Sequence, residues 1–203
     1  MNKKTLVVLA AALGILFILY ISLQEDHSVY IQAIQKERAD KNRQFKFSAE
    51  SPLTDSLKRS FDSLIYFPVN PKLKIKALLE LLPSSETVYM PTSDGKEKRY
   101  KKFAKARFAL QGQEAEVLLF KAEDSGANDL FFPFADETSA MSTYGGGRYI
   151  DLVQDNDRTI VIDFNKAYNP YCAYNPTYSC PIPPKENRLP FAIEAGEKFS
   201  EKP

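Results

Sequence analysis

Between Tyr144 and Asn187 the chain gathers a run of three glycines with an arginine directly after it, several amides, tyrosines and acids, and both of its cysteines. Gly145-Gly146-Gly147 allows positive φ and bares backbone N–H groups to a close ligand. Arg148 follows directly and can fork onto a carboxylate or a phosphate. The alternative is a tight bend before a strand, with Arg148 paired to an acid such as Asp136 or Asp151. Neither standard nucleotide signature is present, because there is no G-x-G-x-x-G and no Lys-Ser or Lys-Thr after the glycines. Asp163-Phe164-Asn165 closes an apolar run. Its polar ends either point into a site or make a cap and turn.

Ala167-Tyr168-Asn169-Pro170 recurs as Ala173-Tyr174-Asn175-Pro176. Two Asn-Pro steps forbid a continuous helix, so this stretch is a loop of two similar turns. Its tyrosines either stack on sugars or other flat ligands, or fill the space beneath the loop. Glu186 is the candidate general acid or base, with Asp136, Asp151 or Asp163 as a second carboxylate. Otherwise it is an ordinary ion-paired residue between Lys185 and Arg188. His27 is the sole histidine, which excludes Ser-His and Cys-His nucleophile systems of the usual kind and leaves no zinc set. No cofactor motif is found. Cys172 and Cys180 are expected to form a disulfide outside the cytoplasm. The short loop so closed contributes about 2.5 kcal/mol of chain entropy, enough to shape the loop rather than hold the fold.

Elements must position these groups. Asp26 to Gln44 reads as an amphipathic helix with Asp26 or Ser28 as cap, and Thr54 caps a short helix through Phe61. Leu73, Ile75, Ala77, Leu79 and Leu81 alternate with charged residues at the period of a strand. Ala106 to Leu110 and Ala115 to Phe120 flank Gln111-Gly112-Gln113 as a hairpin. Leu130 to Phe134 is a further strand, which Pro133 places at an edge or bulge. Tyr149 to Leu152 and Thr159 to Asp163 are expected to pair across Gln154 to Arg158. The expected fold is α+β and mainly antiparallel β, a curled sheet of barrel- or sandwich-like form. A single N-terminal transmembrane helix and the amphipathic helix precede it. Residues 1–24 are the membrane anchor, or alternatively a signal peptide; 25–44 form a helical linker and 45–203 the β-rich domain.

Asn2-Lys3-Lys4 opens the chain, and Leu6 to Leu23 runs without a charge. At 1.5 Å per residue it spans about 27 Å, close to a bilayer core. The lysines stay in the cytoplasm, which makes this a single-pass inner-membrane protein with its C-terminal domain outside the cytoplasm. Setting Lys3 and Lys4 aside, 25 basic residues face 26 acidic ones, so nucleic acid is not an expected partner. The charges are segregated: Lys96 to Arg107 is basic, and Glu114 to Asp163 is acidic.

Phe132-Pro133-Phe134, Thr143-Tyr144-Gly145-Gly146-Gly147-Arg148-Tyr149, Asp163-Phe164-Asn165, Ala167-Tyr168-Asn169-Pro170, Cys180-Pro181, Pro183-Pro184, Glu186-Asn187-Arg188-Leu189 and Ala195-Gly196-Glu197-Lys198 occur in this order. Together they resemble the bacterial family called domain of unknown function 1684, from about Tyr30 to Lys198. The resemblance implies a shared β-rich fold and carries no reaction. The function expected is a membrane-anchored binding module for an anionic or small polar ligand. The ligand set would be Tyr144, Gly145, Gly146, Gly147, Arg148, Asp163, Asn165, Tyr168, Tyr174 and Asn187, converging on one concave surface. The alternatives are an enzyme using Glu186 and a structural scaffold.

Overall fold

The computed structural model describes residues 26–83 and 86–199, with Asn2 and Gly14 besides. The expected anchor, Leu6 to Leu23, therefore lies outside the described residues except for Gly14. Among the described residues no helix is long and apolar enough to cross a membrane.

Among the described residues seven antiparallel strands form one sheet: β1 (Lys74–Leu81), β2 (Thr87–Pro91), β3 (Glu97–Leu110), β4 (Gln113–Ala122), β5 (Asp129–Phe134), β6 (Arg148–Val153) and β7 (Thr159–Asp163). Their order is β6-β5-β4-β3-β1-β7, and β2 joins β3 off this path. β3 is long enough to serve β2 with its first half and β1 with its second, and it bends at an irregularity between Lys102 and Ala104. That bend lets the sheet curl. Ala104, Ala106 and Phe108 point inward from β3, while Lys105 and Arg107 point outward to Glu116 of β4. The basic and acidic stretches of the sequence thus meet across one hairpin. Exposed pairs of this kind are worth only a few tenths of a kcal/mol each, roughly.

The sheet is a nearly closed barrel. β6 and β7 come together but share no ladder; β6 bonds to β5 and β7 to β1. The hairpin expected between them is thus corrected. Five residues separate them, but β1 supplies β7 with a longer antiparallel partner. Helix α1 (Ser28–Phe47) lies along this seam. Ile34 and Phe45 are buried, and the Tyr30 hydroxyl donates to the Asp163 carboxylate, 2.8 and 2.9 Å from its two oxygens. A short helix α2 (Asp55–Ser60) follows, and Thr54 caps it by accepting from the Leu57 N–H.

Pro133 sits in an inner strand, not at an edge. β4 and β5 touch in register only at Phe120 and Phe131 and then part. Asn187 fills the gap: its amide accepts from Leu118 N at 2.7 Å and donates to Leu118 O at 2.9 Å and Pro133 O at 2.8 Å. The missing proline N–H therefore costs nothing there. The barrel core is Phe108, Phe132, Phe134 and Phe164 packed with aliphatic side chains, and Leu189, Phe191, Ile193 and Ala195 of the C-terminal segment plug one end.

Candidate functional site

On strands β5 and β6 the inward positions are apolar apart from Arg148, as a two-residue period requires: Leu130, Phe132 and Phe134, then Ile150 and Leu152. The outward positions should then be polar. Phe131 and Tyr149 stand there instead, beside the expected polar Asp151, and Tyr100 joins them from β3. An aromatic patch on the outer face of a barrel is unsatisfied unless something covers it. Residues 168–182 supply a partial cover. Tyr168 exchanges backbone hydrogen bonds with Tyr149 at 2.9 and 3.0 Å, and the chain then crosses to β2, where Ile182 N donates to Pro91 O at 2.8 Å. The Tyr149 hydroxyl pins the crossing by donating to Pro181 O at 2.5 Å.

Between this loop and the sheet lies a cleft of about 520 Å³. Tyr100, Phe131, Tyr149, Tyr168, Tyr171 and Tyr178 wall it, with Asp151, Lys41 and Lys98 as its charged groups. Tyr168 donates to Asp151 Oδ2 at 2.9 Å. Solvent reaches Asp151, yet the cleft walls desolvate its carboxylate and raise its pKa, against the hydrogen bond from Tyr168. Desolvation also raises the Tyr168 and Tyr149 hydroxyls well above the ordinary range and Tyr100 to about 12. These tyrosines therefore stay protonated at neutral pH, as hydrogen-bond donors and not bases.

Behind the cleft is a buried ion pair. Glu197 is fully buried and takes Lys41 Nζ at 2.8 Å. It also accepts from Asn169 Nδ2 at 3.2 Å. Burial raises the Glu197 pKa, and Lys41 opposes the rise. Lys41 Nζ also lies 4.7 Å from the centre of the Tyr168 ring, so one ammonium joins the buried acid to the cleft wall.

Of the expected ligand set, only Tyr168 lines this cleft. Arg148 is 1% exposed and points into the barrel end. Its guanidinium donates to Asp136 Oδ2 at 2.6 Å, Ile193 O at 2.9 Å and Ala195 O, so every strong bond goes to the protein. Gly147 (φ +87) makes a tight bend, where a Cβ would stand 2.6 Å from Phe134 O. Gly145 and Gly146 are exposed in the same turn, and the Tyr144 ring packs on Phe199. Asp163 and Asn165 are buried and bonded to each other, with Tyr30 on the first and Asn70 on the second. Tyr174 packs edge-on against Phe45, away from the cleft. Asn187 is the strand staple described above, and Glu186 is exposed beside it. The single concave surface expected for these residues is thus not formed: buried bonding consumes the arginine and the amides, and Glu186 has no place in the cleft.

The expected disulfide is also corrected. Cys172 and Cys180 are free thiols, although neighbours: Cys172 N donates to Cys180 Sγ at 3.2 Å. Desolvation lifts the Cys180 pKa to about 12, so the sulfur lining the cleft is a thiol and a weak nucleophile. Tyr100, Phe131, Tyr149, Lys41, Lys98 and Glu197 are additions to the expected site, whereas Asp151 is expected only as a second carboxylate beside Glu186 or a partner of Arg148. For Phe131, Tyr149 and Asp151 the signal was present, because each alternates with core residues and so faces outward.

A family model described as "Protein of unknown function (DUF1684)" matches residues 59–198. The solution NMR structure of an uncharacterized protein of Haloarcula marismortui is similar, with TM-score 0.70 and 35% identity over 87% of this chain and 98% of that one. No curated protein matches.

Proposed function

The chain belongs to the DUF1684 family of proteins of unknown function, and from that premise we propose that it is a small-molecule binding module of the cell envelope. Leu6 to Leu23 is its anchor in the inner membrane, and the barrel lies outside the cytoplasm. One observation carries the binding reading: six aromatic rings and the Asp151 carboxylate surround a cleft of about 520 Å³, a usual size for a small-molecule site. Proton-transfer chemistry has less support. Glu186 stands in solvent, and the hydroxyls in the cleft are held protonated.

The test is a ligand screen followed by NMR on the full chain. A ligand of this cleft shifts the ring signals of Tyr149 and Tyr168, and Phe131→Ala weakens it at least tenfold while the barrel stays folded. A ligand that binds with full affinity to Phe131→Ala and leaves both rings unmoved refutes the reading. The address has its own test: a C-terminal reporter enzyme that works only after export is active, and activity of a cytoplasm-dependent reporter reverses the orientation.

A further inference from the structure

We infer that the cleft selects an organic cation, a substituted ammonium whose charge sits against the aromatic wall and Asp151. This rests on the binding reading of the cleft and names the chemical class of its ligand.

The wall is continuous. The Tyr100 and Phe131 rings stack at 5.4 Å with 16° between planes. Phe131 meets Tyr149 at 4.8 Å and 70°, and Tyr149 meets Tyr168 at 5.8 Å and 89°. Ring faces carry partial negative charge, so a corner of differently turned rings attracts a cation from several sides. Asp151 lies within this wall, opposite Phe131 in the β5–β6 register. Its one side-chain hydrogen bond is the Tyr168 hydroxyl, and among the described residues it has no ion pair. The cleft thus contains a carboxylate with no ion pair among the described residues; Lys41 acts on it only at longer range while bonded to Glu197.

The protein already uses these rings for ammonium groups. Lys41 Nζ lies 4.7 Å from the Tyr168 centroid, and Lys98 Nζ lies 5.8 Å from the Tyr100 centroid. The Lys41 charge is answered by Glu197. Lys98 has no carboxylate partner among the described residues; its ammonium rests against the neutral Tyr100 ring, and a stronger cation can displace it. An anion fits less well. It would meet Asp151 and the negative ring faces, with Lys41 already committed and Lys98 alone left to hold it. A neutral ring would gain area from the same wall but nothing from the carboxylate, so charge at constant shape is the discriminating variable.

Three probes separate these cases on the full chain, read by the NMR ring signals of the cleft tyrosines. They are choline, its neutral carbon analogue 3,3-dimethylbutan-1-ol, and phenyl phosphate. Choline is expected to bind at least tenfold tighter than the neutral analogue, a difference of about 1.4 kcal/mol. Asp151→Asn, which keeps an acceptor for Tyr168, is expected to cost choline about tenfold and leave the neutral analogue unchanged. Lys98→Ala is expected to strengthen choline by removing its competitor. Equal binding of choline and the neutral analogue overturns the cation and leaves the cleft standing. Tighter phenyl phosphate that weakens in Lys98→Ala also overturns the cation, and reverses the sign of the site. If no probe moves the cleft tyrosine signals, the cation falls, and the binding reading is then decided by the ligand screen alone.

Discussion

Replacing Arg148 with methionine keeps most of the side-chain volume and removes the charge and its donors. The loss follows from the burial of both partners, 1% for the arginine side chain and 0% for Asp136. Removing one member of a fully buried pair costs about 3–5 kcal/mol, because the other charge stays buried. Asp136 keeps the Thr138 N–H at 2.7 Å and the Thr138 hydroxyl, which places the cost toward the lower end. The carbonyls of Ile193 and Ala195 lose their donor, which restores about 1 kcal/mol or more. We expect about 4 kcal/mol, a fall in Tm of about 8–16 °C for a chain of this size. Circular dichroism melts measure it, and limited proteolysis should show earlier cleavage near residues 193–197. Asp136→Asn in the same chain should recover part of the loss, since the orphaned charge is then gone. A Tm within about 2 °C of the parent refutes the reasoning, the more so if ligand binding is lost at the same time. Arg148 would then be a binding residue whose burial is incidental.

Glu197→Gln tests the buried acid. Burial raises its folded pKa above the ordinary 4.5, so its contribution to stability is full below that value and is lost as pH rises through the folded pKa. The parent should therefore lose stability as pH climbs above about 4.5 by more than Glu197→Gln does, and equal slopes in urea titrations across that window oppose the assignment. Thiol titration in denaturant should count two sulfhydryls, and native Cys180 should react far more slowly than an exposed thiol at pH 8; zero thiols in unreduced protein would restore the bridge. Asn187→Ala should cost about 2–4 kcal/mol through its three lost bonds to β4 and β5. Hydrogen exchange at the Leu118 amide is the direct readout, and unchanged protection there counts against the staple.

The amphipathic helix, the hairpin of β3 and β4 and the strand at Leu73 to Leu82 were legible because each is a local pattern of hydrophobic spacing. Arg148 was legible in part. It shares the two-residue register of Ile150 and Leu152, which face the barrel interior, and that period argued for burial while its chemistry argued for a ligand. The pairing of β7 with β1 was not legible, since about 85 residues separate them and no local pattern fixes a long-range choice. Asn187 and Glu197 lie in segments without a period, so only their distant partners show what they do. The cleft was half legible: Tyr168 stood out by composition and Asp151 as a possible second carboxylate, whereas Phe131 looks like an ordinary strand residue until the outward face is known to be covered.

The C-terminal segment also sets a constraint of timing. Residues 187–199 leave the ribosome after every strand, yet they carry Asn187, the carbonyls that receive Arg148, the plug of Phe191 and Ile193, and the acid that holds Lys41. Translation at about 5–20 residues per second leaves the seven strands waiting for this segment. During that wait the guanidinium of Arg148 lacks its carbonyl acceptors, β4 and β5 gape beside Pro133, and one end of the barrel is open. The nascent chain should therefore be held unfolded or chaperoned until residues 187–199 have emerged, and a ribosome stalled with β7 exposed but these residues still inside should display a protease-sensitive sheet rather than a barrel.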